Sequence, residues 1–175
     1  MDPRLELVRS HIREIQDFPK PGILFRDITP LLGSDRVFRA AIDLLAEHAR
    51  ALRPDVLVGI ESRGFLFGAP LAIALGVGFV PVRKPGKLPH TKSRVQYELE
   101  YGTDAVEMHT DALHRGSRAL VVDDVIATGG TARATCQLVR QVGAEPVGAA
   151  FLIELTALAG GATLAPVPIL SVVKY

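Results

Sequence analysis

Apolar residues along the chain follow two kinds of pattern, and the two kinds alternate. Helical spacing, with apolar residues recurring every three or four positions, marks four segments: 5–15, 35–52, 65–75 and 132–142. Short apolar runs typical of buried strands occupy five others: 55–61, 77–83, 120–124, 147–154 and 169–173. This alternation predicts an α/β fold, a parallel sheet flanked by helices, with ligands at the carboxyl ends of the strands.

Two segments interrupt the alternation. Residues 18–22 contain two prolines, which exclude helix, and residues 23–28 are predicted to be extended. Residues 84–101 are polar, basic and without periodicity, and they are too long for an ordinary connection. They are expected to form either a mobile flap over the active site, which is the favoured interpretation, or a pair of hood strands. Residues 104–108 are predicted to form one arm of a hairpin.

Composition narrows the class of protein without indicating a chemistry. The chain has 175 residues, 48% hydrophobic and 22% charged, which fits one soluble globular domain over 1–175. A net charge of +1 gives no basis for nucleic-acid binding through bulk electrostatics. No signal peptide or membrane span is visible, since glycine and proline break the longest apolar region, 65–82. The single cysteine, Cys136, is expected to be a small apolar helix residue, and a cytoplasmic location is expected.

Residues 119–132 carry the strongest chemical signal in the chain. An apolar run and two acids lead into a short loop that opens a helix, and the loop residues are Ala127, Thr128, Gly129, Gly130 and Thr131. Such a turn aims free backbone N–H groups at one point, where the helix dipole adds positive potential. Without a Cβ at Gly129 an anion can approach closely, and a side chain there is expected to stand between the N–H groups and the anion. The loop is therefore predicted to bind a phosphate.

The two acids that precede this loop, Asp123 and Asp124, indicate what the rest of the ligand is. Carboxylates beside a phosphate site repel the phosphate, so they are expected to serve hydroxyl groups or a divalent cation just beyond it. A ribose 5-phosphate meets this requirement, with its phosphate on the loop and its 2′ and 3′ hydroxyls against Asp123 and Asp124.

Residues 121–132 resemble the phosphoribosyl pyrophosphate (PRPP) signature of the type I phosphoribosyltransferases. Further segments at 18–30, 59–68, 83–89 and 97–102 resemble the members of that family that act on adenine, whereas residues 90–96 depart from the pattern. The resemblance covers nearly the whole chain. It implies the type I phosphoribosyltransferase fold, with a small N-terminal hood that recognises the base over 1–34 and a flexible catalytic loop over 84–101. It also implies a cis peptide bond between Glu61 and Ser62.

The resemblance further implies the residues that bind the remaining parts of the substrates. Pyrophosphate is expected to bind a second strand-to-helix turn and nearby cations, namely Glu61, Ser62, Arg63, Arg83, Lys84 and Lys87. Adenine is expected at the carbonyl of Leu24 and the amide of Arg26, with its ring near Phe25 and Leu155. Glu100 is the candidate for exchanging a proton with the purine, and a surface glutamate that steadies the loop is the alternative.

The implied reaction transfers the 5-phosphoribosyl group from PRPP to adenine, giving AMP and pyrophosphate, with Mg²⁺ as cofactor. Asp123 and Asp124 would take part by holding ribose hydroxyls or metal-bound waters, and a homodimer is implied. Two alternatives stay open: a phosphoribosyltransferase for xanthine, hypoxanthine or orotate, and a PRPP-binding regulator that performs no chemistry. The regulator is disfavoured because the sequence has no spare segment or basic stripe for a second domain.

Overall fold

A computed structural model describes residues 2–98 and 102–175 of the chain. The helices are α1 Pro3–Ser10, α2 Thr29–Leu32, α3 Asp35–Arg50, α4 Gly64–Leu75 and α5 Gly130–Gln141. The strands are β1 Arg13–Ile15, β2 Phe25–Asp27, β3 Val56–Ile60, β4 Gly78–Val82, β5 Lys92–Glu98, β6 Thr103–His109, β7 Arg118–Ile126, β8 Glu145–Glu154 and β9 Ile169–Lys174. Two short 3₁₀ helices, Thr156–Leu158 and Gly160–Leu164, follow β8.

Five strands form a parallel sheet in the order β4-β3-β7-β8-β9. The chain moves outward from β3 to β4 and then returns to β7 on the other side of β3, so a topological switch point lies between β3 and β7. Ligands of open α/β sheets bind beyond the carboxyl ends of the strands at such a point. The predicted α/β class with a parallel sheet flanked by helices is confirmed.

Successive residues of each strand face two different hydrophobic cores. Leu57, Leu120 and Leu152 pack with residues of α1 to α4 on one face of the sheet. Their neighbours Val58 and Val121 pack on the other face with α5 and with the β5–β6 hairpin. Both faces are thus covered, which explains why the strands are apolar throughout instead of alternating with polar residues.

The first helix is shorter than its apolar spacing predicts. We expected a helix over 5–15, but α1 ends at Ser10, and Ile15 lies in β1 opposite Phe25 of β2. Ile12 remains buried, so the three- and four-residue spacing continues past the helix without marking its end. The tertiary pairing of β1 with β2 decides the backbone here, as it often overrides a local pattern.

The segment that was expected to be a flap is partly regular. Residues 92–98 form β5, which pairs in antiparallel register with β6, so the strand pair, the less favoured interpretation, describes this part of the segment. The hairpin arm predicted over 104–108 is confirmed as β6. Arg83 extends the contact through two backbone hydrogen bonds with Glu107, of 2.8 and 2.9 Å. Among the helices of residues 2–98 and 102–175, none is long and apolar enough to cross a bilayer.

Candidate active site

Loops that follow four of the five parallel strands meet at one edge of the sheet. Residues 61–63 follow β3, residues 83–91 follow β4, residues 127–129 follow β7, and Leu155 follows β8. This edge therefore brings together the predicted phosphate loop, the predicted pyrophosphate turn and one of the predicted adenine-binding residues. The turn after β3 and the loop after β7 flank the switch point directly.

The predicted phosphate loop joins β7 to α5 and borders a small cavity. Gly129, immediately before α5, has a left-handed backbone with φ of +83°, which only glycine adopts without strain. The cavity of about 120 Å³ is lined by Asp123, Val125 and the loop residues Ala127, Thr128, Gly129, Gly130 and Thr131, together with Ile126 and Ala132. It lies at the N-terminus of a helix of 12 residues, where unpaired N–H groups favour an anion.

Gly129 is required for a different reason from the one the sequence suggests. A Cβ there would meet the second 3₁₀ helix, 2.3 Å from Thr163 Oγ1 and 2.5 Å from the Gly160 carbonyl oxygen. A Cβ on Gly160 would in turn lie 2.2 Å from the Ala127 carbonyl oxygen. The loop is therefore supported from behind by the second 3₁₀ helix, a contact that the sequence analysis missed. The tandem Gly160-Gly161 was the only local sign of it.

The two acidic residues have different surroundings. Asp124 is buried and its Oδ2 lies 2.7 Å from Nε of Arg63, so this ion pair spans the switch point. Asp123 accepts a 2.8 Å hydrogen bond from the Asp124 amide. Burial and the neighbouring Asp124 charge raise the pKa of Asp123 well above its usual range.

Glu61 holds the cations that follow β4. Its carboxylate accepts hydrogen bonds from Lys87 Nζ at 2.6 Å, from the Lys84 amide at 3.0 Å and from the Arg83 guanidinium at 3.2 and 3.3 Å. Burial alone would raise the pKa of Glu61, but these donors lower it to about 2. The peptide bond between Glu61 and Ser62 is cis, as the resemblance implied. Pyrophosphate would have to compete with Glu61 for these groups.

A second network joins the hairpin to the phosphate loop through the hydroxyl of Tyr97. This hydroxyl accepts hydrogen bonds from Lys84 Nζ at 3.1 Å and from Thr131 Oγ1 at 3.0 Å, and it donates to Asp104 at 3.0 Å. Lys84 also forms an ion pair with Asp104. Burial opposes both charges, yet the pairing lowers the pKa of Asp104 and raises that of Lys84. Neither Tyr97 nor Asp104 was among the predicted site residues.

The predicted adenine-binding segment lies in the small N-terminal hairpin of β1 and β2. Phe25 packs edge-to-face against Phe18, with ring centroids 5.1 Å apart, and the Arg63 guanidinium lies 5.8 Å from the Phe25 ring. Leu24 exposes 37% of its surface and Phe18 51%, so apolar area is available here for a planar base. The Arg26 side chain forms an ion pair with Glu14 on β1.

Leu155, Glu100 and Cys136 are the remaining residues about which the sequence led to an expectation. Leu155 donates a backbone hydrogen bond of 3.0 Å to the Ile126 carbonyl, which fixes it beside the end of β7. Glu100, the predicted proton-exchanging residue, lies outside the described residues. Cys136 is buried in α5, and burial raises the pKa of its thiol to about 11.

Comparison with known proteins identifies the family. Residues 29–166 match the family described as the phosphoribosyl transferase domain. An adenine phosphoribosyltransferase of Trichormus variabilis is 58% identical over 170 residues, which are 96% of this chain and 99% of the relative. The chain belongs to the adenine phosphoribosyltransferase family. The match to the phosphoribosyl transferase domain includes the phosphate loop and both acids, whereas Leu24, Phe25 and Arg26 lie before it.

Solved structures support the same assignment. The crystal structure of an adenine phosphoribosyltransferase from Thermoanaerobacter pseudethanolicus is 50% identical with a TM-score of 0.95, and the match covers 98% of this chain and 99% of that one. An enzyme from Saccharomyces cerevisiae, complexed with adenine and an imino-altritol bisphosphate, is 41% identical with a TM-score of 0.94 and coverage of 99% and 100%. The fold is therefore that of the type I phosphoribosyltransferases, as the resemblance implied.

Proposed function

We propose that this phosphoribosyltransferase transfers the 5-phosphoribosyl group from PRPP to adenine in purine salvage, giving AMP and pyrophosphate. The observation that carries the proposal is the arrangement at the switch point. Two strand-to-helix turns, after β3 and after β7, flank the buried carboxylate of Asp124. PRPP has the matching order of groups: a phosphate at one end, a ribose with two hydroxyls, and a pyrophosphate at the other end.

The phosphate ends of PRPP are assigned to the two turns. The N–H groups and hydroxyls of residues 127–131 hold the 5′-phosphate at the N-terminus of α5. Pyrophosphate binds the Glu61–Ser62–Arg63 turn and the cations Arg83, Lys84 and Lys87, which exchange contacts with Glu61 and Asp104 for contacts with the ligand. The same cations stabilise pyrophosphate as it leaves C1 of the ribose.

The acidic pair acts on the ribose. Cleavage of the bond at C1 passes through a cationic, oxocarbenium-like transition state, as in glycosidic bond cleavage generally. In this proposal Asp124 holds a ribose hydroxyl, and its negative charge favours the cationic ring. Asp123, whose pKa is raised, accepts or donates a hydrogen bond according to its proton. Glu100 remains the proposed residue for exchanging a proton with the purine as N9 attacks.

The residues present fit a magnesium ion that is bound mainly through the substrate. The cations Arg63, Arg83, Lys84 and Lys87 are each already paired with a carboxylate of Glu61, Asp104 or Asp124, so further positive charge is needed to neutralise a bound pyrophosphate. In residues 2–98 and 102–175 no group of three or more His, Cys, Asp or Glu side chains could hold a metal. Mg²⁺ typically keeps waters and uses one or two carboxylates plus substrate phosphates. Asp123 and Asp124 would hold it through water molecules, and it would supply positive charge that neutralises pyrophosphate.

Adenine recognition is proposed for the hairpin of β1 and β2. The Leu24 carbonyl accepts from the exocyclic amine, the Arg26 amide donates to ring N1, and the base lies between Phe25 and Leu155. A 6-oxo purine presents the opposite polarity at that position, so the pair of backbone groups disfavours it. The related yeast enzyme was crystallised with adenine, which supports this choice of base.

The reaction is tested with radiolabelled adenine, PRPP and Mg²⁺, scored for AMP. We expect labelled AMP to form. Unlabelled adenine should suppress its formation, whereas xanthine, hypoxanthine and orotate should leave it unchanged. If one of the other bases suppressed labelled AMP more strongly than adenine does, that base would be the substrate instead of adenine. Binding of PRPP with no product from any base would favour the non-catalytic regulator instead.

A homodimer and a cytoplasmic location complete the proposal. On α4, Ile73 exposes 84% of its surface and Leu66 44%, and an open groove of about 460 Å³ runs between α3 and α4 beside Ile73. A second copy covering this apolar face would explain the exposure. Sedimentation should give a dimer, and a stable monomer at micromolar concentration would contradict it. The single cysteine excludes an intrachain disulfide and fits the cytoplasm.

A further inference from the structure

Tyr175 follows β9, the strand at the edge of the parallel sheet, and its backbone holds both neighbours of Leu155. The Tyr175 amide donates to the Glu154 carbonyl at 3.0 Å. The Tyr175 carbonyl accepts from the Thr156 amide at 2.9 Å and from the Thr156 hydroxyl at 2.6 Å. Leu155 lies between these two residues, so the hydrogen bonds of Tyr175 fix the backbone of Leu155, which forms one side of the proposed base site.

The side chain of Tyr175 reaches the opposite side of the same site. The Arg26 guanidinium carbon lies 3.6 Å from the centroid of the Tyr175 ring, the distance of a close stack. Arg26 is also paired with Glu14, and only 13% of its side chain is exposed. The Arg26 side chain is therefore held from two directions, and its backbone amide is the group assigned to adenine N1. Arg9 is a second, more distant cation, 5.2 Å from the same ring.

We propose that Tyr175 is a positioning residue for adenine, acting through Arg26 and Leu155 and not through contact with the substrate. Its backbone fixes Leu155 and its ring fixes Arg26, so one residue sets the spacing between the hydrogen-bonding side and the apolar side of the base site. This inference rests on the proposed function. A base read by two backbone hydrogen bonds tolerates little displacement of either group, because small misplacements cost orientation in the reacting complex.

Steady-state kinetics of three variants test the proposal. Tyr175→Ala removes the ring and should raise the KM for adenine about three- to tenfold, the loss expected for one partly buried cation–π contact. The KM for PRPP should stay within about twofold of wild type, since the hydrogen bonds and cation–ring contacts described for Tyr175 go to Glu154, Thr156, Arg9 and Arg26 and not to residues 127–131. Tyr175→Phe keeps the ring and should restore the adenine KM. Arg9→Ala removes the more distant cation from the same ring and serves as the matched control, with both KM values unchanged.

A double-mutant cycle shows whether the effect passes through Arg26. If it does, Tyr175→Ala should add little to the adenine KM of Arg26→Ala, whereas independent effects would multiply. An unchanged adenine KM in Tyr175→Ala, or equal rises in both KM values together with a lower Tm, would overturn the proposal and leave Tyr175 as a packing residue. A wild-type enzyme that makes no AMP from adenine would instead refute the proposed reaction, so the two failures are distinguishable.

Discussion

A single methyl group at Gly129 should disrupt phosphate binding as well as lower the stability of the fold. Gly129→Ala places a Cβ 2.5 Å from the Gly160 carbonyl oxygen, where ordinary contacts begin at 3.4 Å, so loop and 3₁₀ helix must separate by roughly 0.9 Å. The φ of +83° adds about 1–2 kcal/mol for a residue with a side chain. In a chain of this size that corresponds to a fall in Tm of about 2–8 °C.

The effect on substrate binding should be larger. Hydrogen bonds to a charged group contribute about 1.5–3 kcal/mol each, so loss of even one N–H contact with the 5′-phosphate weakens binding about 10- to 100-fold. The assay is AMP formation at saturating adenine with PRPP varied, together with calorimetric titration of AMP. We expect a rise in the KM for PRPP of that size, with a parallel loss of AMP affinity.

Gly143 provides the matched control at the other end of α5. Its φ is +84°, and the three atoms nearest to a Cβ would all belong to Arg115, the nearest being Cγ at 3.2 Å. Gly143→Ala therefore carries the same backbone strain away from the phosphate loop. It should lower Tm by a similar few degrees, about 2–8 °C, without changing the KM for PRPP. Normal PRPP affinity in Gly129→Ala, or an equal loss in Gly143→Ala, would refute the assignment of this loop as the phosphate site.

Three other variants test the charges of the site. The pKa of Glu61, about 2 in the folded protein, lies below its value in the unfolded chain. Ionised Glu61 therefore stabilises the fold above about pH 4.5, and this stabilisation is lost as the pH falls toward 2. The Tm difference between wild type and Glu61→Gln should shrink over that range. The raised pKa of Asp123 means that its ionised form destabilises the folded protein. Asp123→Asn should therefore raise the Tm at pH 7 but not at pH 3, and it should lower turnover. An unchanged Tm at both pH values would contradict this. Glu100→Leu should lower kcat about 100-fold or more if Glu100 exchanges the proton, and turnover near wild type would exclude that role.

Local patterns predicted the parts of this protein that depend on neighbours in sequence. The apolar run, the two acids and the glycine turn of 119–132 specify strand, loop and helix together, because each requirement is met within a few residues. The same holds for α3, which begins after Ser34, whose hydroxyl accepts from the Val37 amide at 3.5 Å. The predicted end of α1 was wrong because β1 pairs with β2, where Ile15 lies opposite Phe25, and the spacing of apolar residues carries no sign of that partner.

Only the tertiary structure decided which groups of the site meet. Arg63 lies opposite Asp124, Gly129 packs on Gly160, and the Arg26 guanidinium stacks on Tyr175, although each pair is distant in the chain. A parallel sheet collects the carboxyl ends of its strands at one edge, but strand order and register determine which loops become neighbours. The sequence by itself therefore determined the chemistry of each segment. The crossover between β3 and β7 determined which segments meet in the site, because contact at this edge depends on position in the sheet and not on separation in the sequence.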